Sequence, residues 1–257
     1  MKRIGPKVFA LIFVICFLAA IPFGIKAVRE KHAATPAPVA AEQTSAVTPA
    51  PELTPTPEAN PTKEFTQVDA SYFDDALLIG DSRTVGLQEY GTLSNACWFA
   101  NVGMSVYSVQ SAQIAVTGLG TVSLETLMTQ KTFGKVYLML GVNELGYDFG
   151  TTVAKYQELV EKIRAWQPDA VLFIEANLHL AQQRSATDSI VNNKNIDRFN
   201  AEIAKLADQR TVFYIDINEL FDDENGNLRS DYTSDSTHIY AKYYQDWCNW
   251  LCTKGIL

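Results

Sequence analysis

A chain of 257 residues with 47 % hydrophobic and 19 % charged side chains has room for one sizeable core plus appendages. Its formal charge of −8 is unevenly placed: residues 1–65 carry seven Lys/Arg against five Asp/Glu, and the rest carry 14 against 24. The body is therefore near −10, which repels phosphate backbones and argues against nucleic acid as a partner.

In chain order, Lys2, Arg3 and Lys7 precede an uncharged apolar run, residues 8–25, long enough to span a bilayer as a helix. A basic start and an apolar stretch also fit a cleaved leader, but no convincing small-x-small site follows, so an uncleaved signal-anchor is the expectation. Either way the body is expected outside the cytoplasm. Residues 33–62 hold seven of the ten prolines among Thr, Ala and Glu, and read as a solvated linker. At about 3.1 Å per residue it reaches roughly 100 Å when extended. The expected division is an anchor over 1–32, a linker over 33–65 and a folded domain over 66–257.

Beyond the linker, five apolar runs read as strands: 76–80, 97–102, 135–141, 170–176 and 211–217. Most are apolar on both faces, the pattern of a parallel sheet covered by helices on either side. Three- and four-residue spacing of apolar residues predicts helices over 151–166 and 188–208, and a last one carrying Tyr244, Trp247 and Leu251. Alternating strands and helices predict one doubly wound α/β domain. Cys97, Cys248 and Cys252 read as small apolar core residues, with a disulfide from Cys97 to the last helix as the alternative.

In open α/β sheets, sites form beyond the C-terminal strand ends. The first strand delivers Gly80, Asp81 and Ser82, the second Gly103, and the third Gly141 and Asn143. The fourth delivers Glu175, Asn177 and His179, and Asp235 and His238 precede the last helix. Singly, each fits a turn or a cap. Jointly they meet the needs of acyl transfer. Ser82 supplies a hydroxyl at a strand-to-helix turn, His238 a base at a helix start, and Asp235 an acceptor for the imidazole. The N–H groups of Ser82 and Gly103, with the Asn143 amide, form an oxyanion hole.

These blocks, "IGDSRTVGL", "NVGMS", "LGVNELG" and "DSTH", occur in the order found in the SGNH hydrolases, the GDSL-type esterases and lipases, and the chain resembles that family. The resemblance implies a flavodoxin-like three-layer α/β/α sandwich around a mainly parallel five-stranded sheet. It also implies carboxylic-ester hydrolysis with no metal or organic cofactor, and the roles given above for Ser82, Gly103, Asn143, Asp235 and His238. Two positions depart from the family pattern: Arg83 stands where Leu is named, and Glu144 where Asp is common. Both bear on substrate rather than mechanism. Arg83 either faces solvent or grips substrate, Glu144 is a further candidate contact, and His179 either lines the pocket or sits in a loop.

No Gly-x-Ser-x-Gly elbow is present, and no paired-ligand spacing suggests a metallohydrolase. The leading expectation is a membrane-tethered extracytoplasmic esterase that removes short acyl groups, foremost acetyl, from envelope polysaccharide or a small ester. An O-acyltransferase working with a membrane partner would use the same residues. A lipase or thioesterase, and a non-enzymatic binding module, stand behind these.

Overall fold

The computed structural model describes residues 62–257. The apolar N-terminal run and nearly all of the Pro-rich stretch lie outside them. Among the described residues no helix is long and apolar enough to cross a membrane.

The elements run β1 (Ala76–Gly80), α1 (Ser82–Tyr90), β2 (Cys97–Ala100), β3 (Ile114–Val116), β4 (Gly120–Val122), α2 (Leu124–Gln130), β5 (Lys135–Met139) and α3 (Phe149–Trp166). They continue with β6 (Val171–Glu175), α4 (Gln182–Ser185), α5 (Asn193–Ala204), β7 (Val212–Ile215), α6 (Asn218–Phe221) and α7 (Tyr244–Leu251). The main sheet has the order β2-β1-β5-β6-β7, and every pair in it is parallel. Numbered along the sheet's own strands this is 2-1-3-4-5, the flavodoxin-like winding, whose switch point falls between β1 and β5. All five strands expected from the sequence form, each within a few residues of its predicted span.

Register explains why these strands read as continuously apolar. Leu77, Val136, Leu172 and Val212 are aligned across four strands and face one core, with Leu127 of α2, Leu159 of α3 and Phe199 of α5. Their neighbours Leu78, Tyr137, Phe173 and Phe213 are aligned on the opposite face, with Leu87 of α1 and Trp247 of α7. Successive side chains point to opposite faces, so a sheet buried on both sides needs apolar residues at every position. Tyr137 and Phe173 stack at 4.5 Å.

Two local readings are revised, and three short elements are new. The helix expected over 188–208 narrows to α5, because Asp188 Oδ1 accepts the N–H groups of Ile190 and Val191 and Asn192 caps the helix by accepting from Asn195. The hairpin β3–β4 and the helix α2 had no expectation; they are three, three and seven residues long, too short for periodicity to register. His238 does not open a helix. It sits in a loop closed by the bridge Thr233–Ile239, with Ser236 at φ 63° and α7 starting only at Tyr244. Cys97, Cys248 and Cys252 are free thiols.

Candidate active site

The turn after β1 is built around residues that leave no alternative. A side chain at Gly80 would press on Thr84 and on the Met139 carbonyl. Asp81 is fully buried and caps α1, accepting from the Arg83 N–H at 3.0 Å. Its carboxylate also takes Arg83 Nε at 3.1 Å and Nη2 at 2.6 Å. Arg83 is 1 % exposed and ion-paired with Asp81, so it does not face solvent; it stands in the wall of the cavity beside Ser82, and its Nη1 has no partner among the described residues. Ser82, lying between these two buried charges, is left at the surface of the turn with its hydroxyl outward.

The loop after β7 and α6 brings the partners. Ser82 Oγ lies 2.8 Å from His238 Nε2, and His238 Nδ1 lies 2.7 Å from Asp235 Oδ2. Burial alone would raise the Asp235 carboxyl, but the N–H groups of His238 and Thr237 and the imidazole outweigh it and hold the group at about 2. Asp235 is therefore ionised at neutral pH and accepts from Nδ1–H. Nε2 is then the ring's free acceptor for the Ser82 hydroxyl. The positive φ of Ser236 lets the loop turn back so that Asp235 reaches the His238 backbone and ring together.

Ser82, His238 and Asn143 line one cavity of about 250 Å³. Its remaining walls are Val142, Val191, Thr237, Arg83 and Arg184. Nothing in "AQQRSA" sets Arg184 apart as sequence, and within "DSTH" nothing marks Thr237 beside Asp235 and His238. The Asn143 amide donates to the Met104 carbonyl at 3.0 Å. Gly103 has φ 76° and open space around it, and it lines a different cavity from Ser82.

Two further candidates are placed elsewhere. Glu144 is 1 % exposed and does not reach the cavity; its Oε1 accepts from the Val106 N–H at 2.9 Å, which ties the loop after β5 to the loop after β2. Burial pushes its carboxyl up to about 7, and Oε2 has no partner. His179 is held by Asp222 Oδ2 at 2.7 Å on Nδ1 and by Asp197 Oδ1 at 2.8 Å on Nε2, and it does not line the Ser82 cavity. Glu144 is a candidate through its departure from the family pattern and His179 through its place after a strand; burial turns the first away from the cavity and two carboxylates the second.

Asn177 organises the strand ends instead. It donates to the Leu140 carbonyl, and it accepts from Val142 N–H and from Arg83. Its backbone is locked by Asn200 and Asn218. Gly141, at φ 144°, lies against this amide, where a side chain would meet Asn177 Nδ2 at 2.6 Å. Among the described residues no group of His, Cys, Asp and Glu is arranged to hold a metal ion.

Residues 78–245 match the GDSL-like lipase/acylhydrolase family. No curated protein matches the chain. Among solved structures it is similar to a GDSL-like lipase from Bacteroides thetaiotaomicron, at 16 % identity over 72 % of this chain and 88 % of that one, with a TM-score of 0.52. A G-D-S-L family protein from Desulfitobacterium hafniense is similar at 13 % identity, over 69 % and 97 % of the two chains, with a TM-score of 0.51. At such identities these likenesses speak to the fold; the family match, which covers well over half of the sequence and all four motif blocks, makes the chain a member of the GDSL-like lipase/acylhydrolase family and an ester-hydrolysing enzyme of SGNH type.

Proposed function

We infer that the chain is a membrane-tethered serine esterase, acting outside the cytoplasm, that removes short acyl groups, foremost O-acetyl, from cell-envelope carbohydrate. The observation that carries the chemistry is the unbroken Ser82–His238–Asp235 chain at 2.8 and 2.7 Å. In this reading His238 Nε2 takes the Ser82 proton as Oγ attacks the ester carbonyl, and Asp235 steadies the imidazolium. The developing oxyanion is met by the Ser82 N–H and by the Asn143 amide, which share the cavity; the amide has a second N–H beyond the one given to Met104. Gly103 lines a neighbouring cavity and would add its N–H only if its loop closed on the bound ester. His238 then protonates the departing sugar oxygen. Water, deprotonated by the same nitrogen, attacks the acyl-enzyme and releases the carboxylic acid.

The short-acyl assignment is supported by the cavity, which at about 250 Å³ is small and walled by polar groups and two valines. Ligand pockets for larger apolar molecules run to about 300–1,000 Å³ and are mostly apolar. The carbohydrate and membrane assignments rest on the sequence: an apolar run behind basic residues, then a Pro/Thr-rich spacer suited to holding an enzyme within a polymer layer. A p-nitrophenyl ester series tests acyl length. Acetate is expected to turn over fastest, with octanoate slower by about 100-fold because the pocket cannot enclose it. Octanoate cleaved as fast as acetate would remove the short-acyl assignment.

A further inference from the structure

Arg184 stands in the wall of the Ser82 cavity, and the structure leaves most of its bonding capacity unused. A guanidinium has five N–H donors in a planar fork. Here only Nη1 is engaged by a side chain, through the Thr237 hydroxyl next to His238. Asp188 Oδ2 is 3.9 Å from Nη2, beyond hydrogen-bond reach, while the Oδ1 of that carboxylate is taken by the Ile190 and Val191 N–H groups. The Nε–Nη2 edge thus has no acceptor among the described residues, and the side chain is 37 % exposed. No carboxylate lines the cavity. Its other cation, Arg83, is neutralised by Asp81, and Asp235 is committed to His238 and the backbone around it.

A guanidinium that is only loosely paired, with Asp188 at 3.9 Å and its Nε–Nη2 edge making no hydrogen bond, stands out in the wall of the Ser82 cavity of a body near −10. Such a fork fits two adjacent oxygens of an oxyanion, and charge-assisted bonds of this type are stronger than neutral ones. Building on the esterase reading above, we propose that Arg184 selects acylated acidic sugars, its free edge receiving an oxyanion, a uronate carboxylate or a sugar phosphate, carried near the scissile ester. Thr237 positions the guanidinium by holding Nη1, so that recognition of the anion and orientation of the sugar toward Ser82 share one loop with His238. The reaction remains ester hydrolysis by water.

The test compares substrates that differ only in charge: an O-acetylated methyl glucuronide, its C6 methyl ester, and an O-acetylated methyl glucoside 6-phosphate. Wild-type enzyme is expected to favour an anionic form over the methyl ester by about tenfold or more in kcat/KM, mainly through KM, as one charge-assisted contact would give. The better of the two anions identifies the source. Arg184→Gln is expected to bring charged and neutral substrates within about twofold of each other, and Arg184→Lys to restore part of the gap. The preference should shrink as salt is raised. Equal wild-type rates on the charged and neutral forms, or a preference that survives Arg184→Gln, overturns the proposal and leaves the esterase reading standing. Calorimetric binding of the same three compounds to Ser82→Ala separates the two readings in the other direction. Anion-selective binding without wild-type turnover would keep the role of Arg184 and defeat the esterase assignment, and no selectivity in binding would defeat the role itself.

Discussion

Arg83 is 1 % exposed and ion-paired with Asp81, and its Nη2 also donates to Asn177, so the turn that presents Ser82 depends on a buried ion pair. Removing one partner of such a pair strands the other, at a cost of about 3–5 kcal/mol. Arg83→Ala is therefore expected to lower the unfolding free energy by that amount in urea titration, and a loss under about 1 kcal/mol would show that the pair is not what holds the turn. Glu144 makes a finer case. Its Oε1 accepts from Val106 N–H and so couples the segment bearing Asn143 to the one bearing Gly103. Glu144→Gln keeps that acceptor, whereas Glu144→Ala removes it. Because small displacements of positioned groups are costly in catalysis, the alanine variant is expected to lose about 10–100-fold in kcat with little change in KM, and the glutamine variant far less. Equal losses in both would assign Glu144 a role through its charge instead. The two residues show what sequence reading can and cannot reach: Ser82, His238, Asp235 and Asn143 were legible because four spaced blocks occur together, while burial decided the fate of Arg83 and Glu144, and burial is not written in a residue's neighbours along the chain.

At the scale of elements, the loop after β6 is a structural clamp. His179 is gripped between Asp222 of the segment after α6 and Asp197 of α5, and its side chain is only 12 % exposed. Hydrogen bonds to charged groups contribute about 1.5–3 kcal/mol, less where solvent screens them, and Asp197 is 63 % exposed. His179→Ala is accordingly expected to destabilise the fold by about 1–2 kcal/mol, read from denaturant midpoints, with ester turnover at a permissive temperature close to that of the parent. A large loss of turnover in a variant of unchanged stability would instead restore His179 to the site. The strands were readable because a two-sided buried sheet demands apolar residues throughout, as the aligned set Leu78, Tyr137, Phe173 and Phe213 shows. The hairpin β3–β4 and the loop of His238 escaped for the opposite reason. Their form is set by single backbone features, positive φ at Gly118, Gly120 and Ser236, and by bridges between residues with no periodic signal.

Over the whole molecule, two groups of titrating residues pull stability in opposite directions. Burial raises Glu144 to about 7 and, reinforced by the charge of Asp81, Glu175 to about 8. Each binds its proton more tightly folded than unfolded, so its contribution is complete below the ordinary carboxyl range and is lost as pH climbs through 7–8. His179 acts in the same sense: burial lowers it, but Asp222 and Asp197 outweigh that and leave it raised, giving stability present below about 6.5 and lost above its folded value. Asp208 and Asp235, both held at about 2 by backbone N–H groups against burial, contribute above the ordinary range and lose that contribution as pH falls toward 2. Melting temperature is thus expected to peak at about pH 4–5 and to decline toward pH 8, with Glu144→Gln flattening the alkaline side; a steady rise from pH 5 to pH 8 would contradict this assignment. Whether Ser82 is the nucleophile driven by His238 is decided by treating the protein with an alkyl fluorophosphonate and following intact mass beside p-nitrophenyl acetate turnover. One adduct per chain is expected, mapped to Ser82, with turnover abolished in step, and a Ser82→Ala variant that folds, takes no label and turns over slower by about four or more orders of magnitude. Labelling at another serine, or a Ser82→Ala variant retaining parental turnover, would contradict it.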